Sequence, residues 1–305
     1  MKSEPHIAIL LATYNGGRFL ERQLDSFLKQ SHKNWSLWIS DDRSDDDTLQ
    51  IIEDWRARHP DVELHVRQGP GRGAAQNFIS LLLDPDIKAE FYSFSDQDDV
   101  WFEDKLTRAL ARFADMARPA LYGARTVVTD TDLQHIAPSI REGKKLGFAN
   151  ALVQNFAAGN TMFFNGAARD LVPDEAADYD IAATDWLMYM LVSGAGGDVM
   201  FDREPCLYYR QHGDNEIGYN ADLLAMVRRI AGLLGGRFSE WSAANLQVLS
   251  NARLTPKNAK ILDAFSEARR VNGMTAVTLL KQSGILREGM MATRALYFAA
   301  FVGRL

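Results

Sequence analysis

Three carboxylates stand within four residues in Ser95-Asp96-Gln97-Asp98-Asp99, directly after the apolar run Phe91–Phe94. Like charges this close repel one another, and nothing apolar explains their presence. A hard divalent cation resolves the repulsion, because Mg²⁺ or Mn²⁺ takes oxygen ligands and usually shares them with phosphates. The alternative is a solvated acidic turn, with Asp99 or Glu103 capping the next helix. A second cluster, Asp41-Asp42-Arg43-Ser44-Asp45-Asp46-Asp47-Thr48, follows the run Trp35–Ser40. Asp46 or Asp47 reads as the N-cap of a helix over Leu49–Arg58, a role that needs neither Asp41 nor Asp42. After a third run, Ile7–Ala12, Thr13-Tyr14-Asn15 offers a hydroxyl, an aromatic face and an amide, a set suited to a nucleobase. Three run ends thus carry polar groups that could converge on one nucleotide and its metal.

That convergence requires a particular scaffold. Ile7–Ala12, Trp35–Ser40, Val62–Val66, Phe91–Ser95 and Leu121–Val128 read as strands. The segments between them carry helical periodicity: Leu20, Leu24, Phe27 and Leu28; Ile51, Ile52 and Trp55; Phe78–Leu82; and Leu106, Leu110 and Phe113. Near-continuous apolar strands alternating with helices imply an α/β fold, a mostly parallel sheet covered on both faces. Ligands of such sheets bind at the carboxyl ends of the strands, where the polar clusters lie. From about 131 to 220 the pattern breaks into loops, with strands expected over Thr161–Asn165, Asp198–Phe201 and Leu207–Arg210 and a helix over about 182–192. Beyond 220 the chain reads as helical, punctuated by Gly232, Gly235–Gly236, Pro256, Gly273 and Gly284.

One competing motif is Gly69-Pro70-Gly71-Arg72-Gly73-Ala74, which fits the G-x-G-x-x-A dinucleotide fingerprint between a strand and a helix. It follows the third strand rather than the first, and Pro70 stiffens a turn meant to be tight. The loop reads instead as one passing near the nucleotide, with Arg67 or Arg72 available for a phosphate.

The segments I-A-I-L-L-A-T-Y-N-G-G-R-F-L, W-I-S-D-D-R-S-D-D-D-T and S-D-Q-D-D-V-W together resemble the family 2 inverting glycosyltransferases of the GT-A fold. The likeness covers about the first 220 residues. Within it, Q-N-F-A-A-G-N-T-M-F-F-N, A-T-D-W-L-M-Y-M-L and Y-Y-R-Q-H-G resemble a rhamnosyltransferase-like branch that builds bacterial surface polysaccharides. The resemblance implies that Thr13, Tyr14 and Asn15 line the nucleobase pocket, that Asp42 accepts from a pyrimidine imide, and that Asp96 sits near the ribose. It makes Asp98 the metal ligand with Asp99 a close alternative, and Asp185 the catalytic base that deprotonates the acceptor hydroxyl. Read from the residue alone, Asp185 is an acid complementing a helix dipole. Thr184 stands where many relatives of this branch have His. His212 completes the metal shell or touches the diphosphate, or is a plain loop histidine. Trp186, Asn160 and Trp101 fall in the acceptor or sugar vicinity, with packing the other reading for Trp101.

The implied division is a catalytic domain over 1–220, with a nucleotide half to about 130 and an acceptor half over 131–220, then a helical region over 221–305. The implied donor is dTDP-L-rhamnose or, failing that, a UDP-hexose; the implied acceptor is a glycan, on a lipid carrier at the inner face of the cytoplasmic membrane. A sugar-phosphate nucleotidyltransferase is disfavoured, since Thr-Tyr-Asn replaces the glycine-rich basic loop that cradles a triphosphate. A non-catalytic nucleotide-sugar sensor would not need Asp185 beside the anomeric carbon.

Composition agrees with a cytoplasmic protein. Cys206 is the single cysteine, and no segment reaches the roughly 18 apolar residues of a membrane span. The N-terminal run is too short for a signal peptide and lacks a cleavage site. Nothing suggests a nucleic-acid partner. Charge is uneven: residues 221–305 hold twelve Lys/Arg against five Asp/Glu, and residues 1–220 hold twenty-two against thirty-five. A basic tail on an acidic body suggests an anionic partner such as a membrane surface, or else a packing or oligomerisation module.

Overall fold

In the computed structural model, which describes residues 4–113, 117–138, 146–212 and 237–305, the first apolar run is strand β1 (Ile7–Thr13), buried along its whole length. Its side chains alternate between two cores. Ile7, Ile9 and Leu11 join Leu20, Leu24, Phe27, Ile52, Trp55 and Leu106 on one face of the sheet. Ala8 and Leu10 join Ile79, Leu82, Phe94 and Leu187 on the other. Burial on both faces is why the run is continuously apolar rather than alternating. The chain continues through α1 (Leu20–Leu28), β2 (Trp35–Asp41), α2 (Thr48–Arg58), β3 (Leu64–Gln68), α3 (Ala74–Leu83) and β4 (Phe91–Ser95). The four strands pair in the order β3-β2-β1-β4, all parallel.

The second half brings β5 (Val100–Trp101), α4 (Lys105–Leu110), β6 (Ala120–Thr129), β7 (His135–Pro138), α5 (Phe148–Ala151), a 3₁₀ turn over Gly159–Thr161, β8 (Phe163–Asn165), α6 (Gly166–Arg169), α7 (Thr184–Gly194) and β9 (Asp198–Arg210). The sheet extends as β4-β8-β6-β9-β5, with β7 beside β6. β8 runs antiparallel to both β4 and β6, β6 and β9 are parallel, and β5 and β7 are antiparallel to their neighbours. Six of the nine described strands therefore point the same way, the mostly parallel sheet expected.

The two strands expected over Asp198–Phe201 and Leu207–Arg210 are one, β9. The polar stretch Asp202-Arg203-Glu204-Pro205 hides the continuity, and its pairing with β6 is irregular opposite Ala124–Val127. A proline, having no N–H to donate, is accommodated at such a bulge. The third strand begins two residues later than expected, and Thr161 belongs to the 3₁₀ turn preceding β8. β5 and β7, two and four residues long, are too short to show periodicity.

Among the described residues four helices follow: α8 (Arg237–Ser250), α9 (Pro256–Ala268), α10 (Gly273–Gln282) and α11 (Met290–Phe301). α9 starts where its sequence dictates: the Thr255 hydroxyl accepts from the Asn258 amide, and Pro256 occupies the first turn. Phe238, Phe265, Leu280 and Leu296 are buried in the core on the α7 side of the sheet. Gly232 and Gly235–Gly236 lie outside the described residues. Among those described, no helix is long and apolar enough to cross a membrane.

Candidate active site

The strand ends of β1, β2 and β4 lie side by side, Thr13 level with Asp41 and Leu11 with Ser95. Their loops are joined to one another. The Thr13 hydroxyl donates to Gln97 Oε1 at 2.7 Å, the Tyr14 amide donates to the same oxygen at 2.9 Å, and Gln97 Nε2 donates back to the Tyr14 carbonyl at 2.9 Å. Asn15, at φ 47°, takes the left-handed conformation that asparagine tolerates. Its amide donates to Ser44 Oγ and its Oδ1 accepts from the Asp45 amide, both at 2.9 Å. The Gly16 and Gly17 amides donate to Thr48 Oγ1 and Asp46 Oδ2. A Cβ at Gly16 would overlap the Gln97 amide, so a side chain there would displace Gln97 from its hydrogen bonds. The Tyr14 ring is left 56% exposed at the mouth of this set.

Asp42 is buried, and its oxygens accept from the amides of Gly71 (2.6 Å) and Gly73 (2.7 Å). Those glycines sit at φ 71° and 86°, which turns their N–H groups toward one point. The Gly69–Ala74 loop is thus an anion nest whose anion is Asp42, so the Gly71 and Gly73 amides already have an acceptor.

In the acidic turn, Asp98 Oδ2 stands 2.6 Å from Nε2 of His212, and the Asp98 carbonyl accepts from Arg210 Nε at 2.9 Å. Asp99 is fully buried and its Oδ2 accepts from Asn160 Nδ2 at 2.5 Å. Burial, then the charges of Asp98 and Asp96, push the Asp99 carboxyl well above the ordinary carboxylate range, against the opposing pull of Asn160. Gly159, beside Asn160, lies under Asp185 in the first turn of α7. A Cβ on that glycine would stand 3.2 Å from Asp185 Cβ and 3.4 Å from its Oδ2. One 3₁₀ turn therefore connects the acidic motif to Asp185, whose Oδ1 accepts from the Trp186 amide at 2.6 Å. α7 is seated by the Thr184 hydroxyl, which donates to the Ala75 carbonyl at 2.7 Å.

The model of the family described as "Glycosyl transferase family 2" matches residues 8–171, which include β1 to β4, the acidic turn and the Gly159–Asn160 turn. The chain belongs to glycosyl transferase family 2. Among curated relatives of this glycosyltransferase is the dTDP-rhamnosyl transferase RfbG of Shigella flexneri, 28% identical over 254 residues that span 79% of this chain and 84% of the relative. The solved structure of S. aureus TarS 1-349 in complex with UDP-GlcNAc superposes with a TM-score of 0.60 at 17% identity, covering 98% of this chain and 88% of that 1-349 chain. Mannosyltransferase PcManGT from Pyrobaculum calidifontis, in complex with GDP-Man and Mn²⁺, gives 0.57 at 16% identity, covering 99% and 85%. The fold of the glycosyltransferase is GT-A.

Four residues expected near the ligands have partners within the protein in this family 2 chain. The Arg72 guanidinium donates to the Ala177 carbonyl and to Asp180, both at 2.7 Å. Arg67 likewise pairs with Asp84 and Asp86. Trp186 is buried with its indole N–H donating to the Ala151 carbonyl at 2.6 Å and its ring toward Phe238, contacts that seat α7. Trp101 is buried between an edge-on Phe27 and Lys105, whose Nζ lies 3.1 Å from the ring centroid.

Residue-level reasoning passed over Gln97, which latches two loops, although it lies inside the acidic motif. It also passed over Arg210, two residues before His212 and fully buried, with its guanidinium 4.6 Å from the Phe19 centroid. Among the described residues no three His, Cys, Asp or Glu side chains gather as a complete metal site. Asp98 and His212 nonetheless supply one oxygen and one nitrogen at contact distance beside a turn of excess negative charge. That donor set fits a divalent ion which completes its shell with diphosphate and water.

Proposed function

We propose that the protein is an inverting, metal-dependent glycosyltransferase that moves L-rhamnose from dTDP-L-rhamnose to a glycan acceptor in bacterial surface polysaccharide synthesis. The observation that carries the reading is the Asp99–Asn160–Gly159–Asp185 connection, which sets a carboxylate at a fixed offset from the acidic turn. Tyr14, with Thr13 and Asn15 behind it, borders the base; Asp96 faces the ribose; Asp42 shapes the pocket by holding the glycine loop and offers its remaining lone pairs to the pyrimidine imide. Asp98 and His212 are the residues that would hold Mn²⁺ or Mg²⁺, with buried Asp99 fixing the turn through Asn160. When bound, such a cation neutralises the charge that grows on the leaving diphosphate. Asp185 takes the proton of the acceptor hydroxyl as that oxygen bonds to the anomeric carbon from the face opposite the breaking carbon–phosphate-oxygen bond. One displacement inverts the anomeric centre, and the nucleoside diphosphate leaves with the bonding electron pair.

The rhamnosyl assignment is supported by the likeness to RfbG over 79% of the chain. A UDP-hexose is the second reading, favoured by the UDP-GlcNAc complex of TarS. In this proposal residues 1–220 form the catalytic domain, with 131–220 serving the acceptor and 221–305 a helical appendage. The enzyme works in the cytoplasm on a lipid-linked glycan at the inner membrane face, contacting that membrane peripherally through its C-terminal region.

Asp185→Asn tests the reading. It is expected to cut kcat by about 10²–10⁴-fold while calorimetry finds donor affinity within about twofold of wild type. Loss of donor binding in step with activity would make Asp185 a binding residue and sink its role as base. Stereochemistry gives an independent check: NMR of the first-formed product must show the anomeric configuration opposite to that of the donor.

A further inference from the structure

We infer that the outer face of α11 is a docking surface for an anionic lipid bilayer. The helix reads Met-Met-Ala-Thr-Arg-Ala-Leu-Tyr-Phe-Ala-Ala-Phe. Leu296, Ala299 and Ala300 are fully buried in the core on one side. A helix seated this way ordinarily turns polar groups to water on the other side. At 100° per residue, Met290, Met291, Arg294, Phe298, Phe301 and, just beyond the last turn, Val302 fall within an arc of about 120°. All six are exposed, Met290 by 68%, Phe298 by 56% and Phe301 by 48%. Asn272 lies against Gly303, and Met274, two residues further on, is exposed as well. Contiguous apolar surface of this kind marks an interaction site.

Charge selects the occupant. From Gly289 to Leu305 there is no Asp or Glu, while Arg294 stands within the apolar arc and Arg304 at its end. Residues 237–305 as a whole carry ten Lys/Arg against four Asp/Glu. A second copy meeting this face about a twofold axis would set Arg294 against an identical face, which offers no carboxylate. An anionic bilayer satisfies both components: the Met and Phe side chains enter the acyl boundary, and Arg294 and Arg304 reach up to lipid phosphates. The surface deepens the peripheral membrane contact proposed above and rests on that reading, though not on the donor or acceptor assigned there.

Flotation of the full chain tests it, using phosphatidylglycerol–phosphatidylethanolamine vesicles and phosphatidylcholine vesicles side by side. Wild type is expected to float with the anionic vesicles and much less with the neutral ones. Phe298→Glu with Phe301→Glu should lower binding by at least about tenfold, and Arg294→Gln by about fivefold. Melting temperature and transfer to a soluble acceptor should be unchanged in all variants, which separates failure of this surface from failure of the glycosyltransferase reading. The inference falls if wild type does not float with anionic vesicles, if it floats equally with neutral ones, or if the double variant floats like wild type. It also falls if wild type is a dimer that the double variant dissociates while vesicles go unbound, which would assign the face to a second copy.

Discussion

Asp42 directly follows β2 and Asp98 lies in the turn between β4 and β5, and their neighbours give them different thermodynamic roles. Asp42 accepts two backbone amides, so Asp42→Ala leaves the N–H groups of Gly71 and Gly73 without their acceptor. A loss of about 1–3 kcal/mol is expected, read from the denaturant midpoint. Asp98 repels its neighbour Asp99 but holds His212 at 2.6 Å, so in Asp98→Ala the relief and the loss oppose each other and unliganded stability should change little. The same variant should abolish the rise in melting temperature that a pyrimidine nucleoside diphosphate gives with Mn²⁺, and EDTA should abolish it in wild type. Lys105 gives a pH signature. Burial lowers its ammonium to about 7, against the charges of Cys206, Asp99 and Asp96, while Nζ donates to Ser93 Oγ at 3.0 Å. A folded value below the unfolded one means the unfolded chain binds the extra proton above pH 7, so stability rises with pH from there. Between pH 7 and 9, wild type should gain on Lys105→Met in parallel thermal melts; parallel curves would show that the group is not depressed. The acidic residues were legible in sequence because they end buried strands. The partners of Arg72 and Trp186 were not, since Asp180 and Ala151 reach them only through tertiary packing. The Asp98–His212 contact joins positions 114 residues apart, and only family resemblance pointed to it.

At the scale of elements, legibility follows burial. β1, β2 and β4 are covered on both faces and announce themselves as apolar runs, and α1 does so through Leu20, Leu24 and Phe27. β9 was read in two pieces because its polar middle follows an irregular pairing rather than a periodic one. β5 and β7 carry too few residues to announce anything. The start of α9 was marked by Pro256, and its Thr255 cap gives a local test. Thr255→Ala should cost about 1 kcal/mol, a fall of about 2 °C in melting temperature, with kcat untouched. A loss of activity in that variant would mean that α9 communicates with the site.

Across the whole molecule, the three loops that border the proposed nucleotide pocket do not stand on their strands independently. Ser44, Asp45, Asp46 and Thr48 hold the loop after β1 from one side and Gln97 holds it from the other. The consequence concerns exchange between relatives. A donor preference cannot be transplanted by grafting the loop after β1 alone, because a foreign loop would arrive without the side chains that receive its amides. The heritable unit of specificity is the set of three, and chimaeras that move all three together should retain folding where single-loop chimaeras lose it.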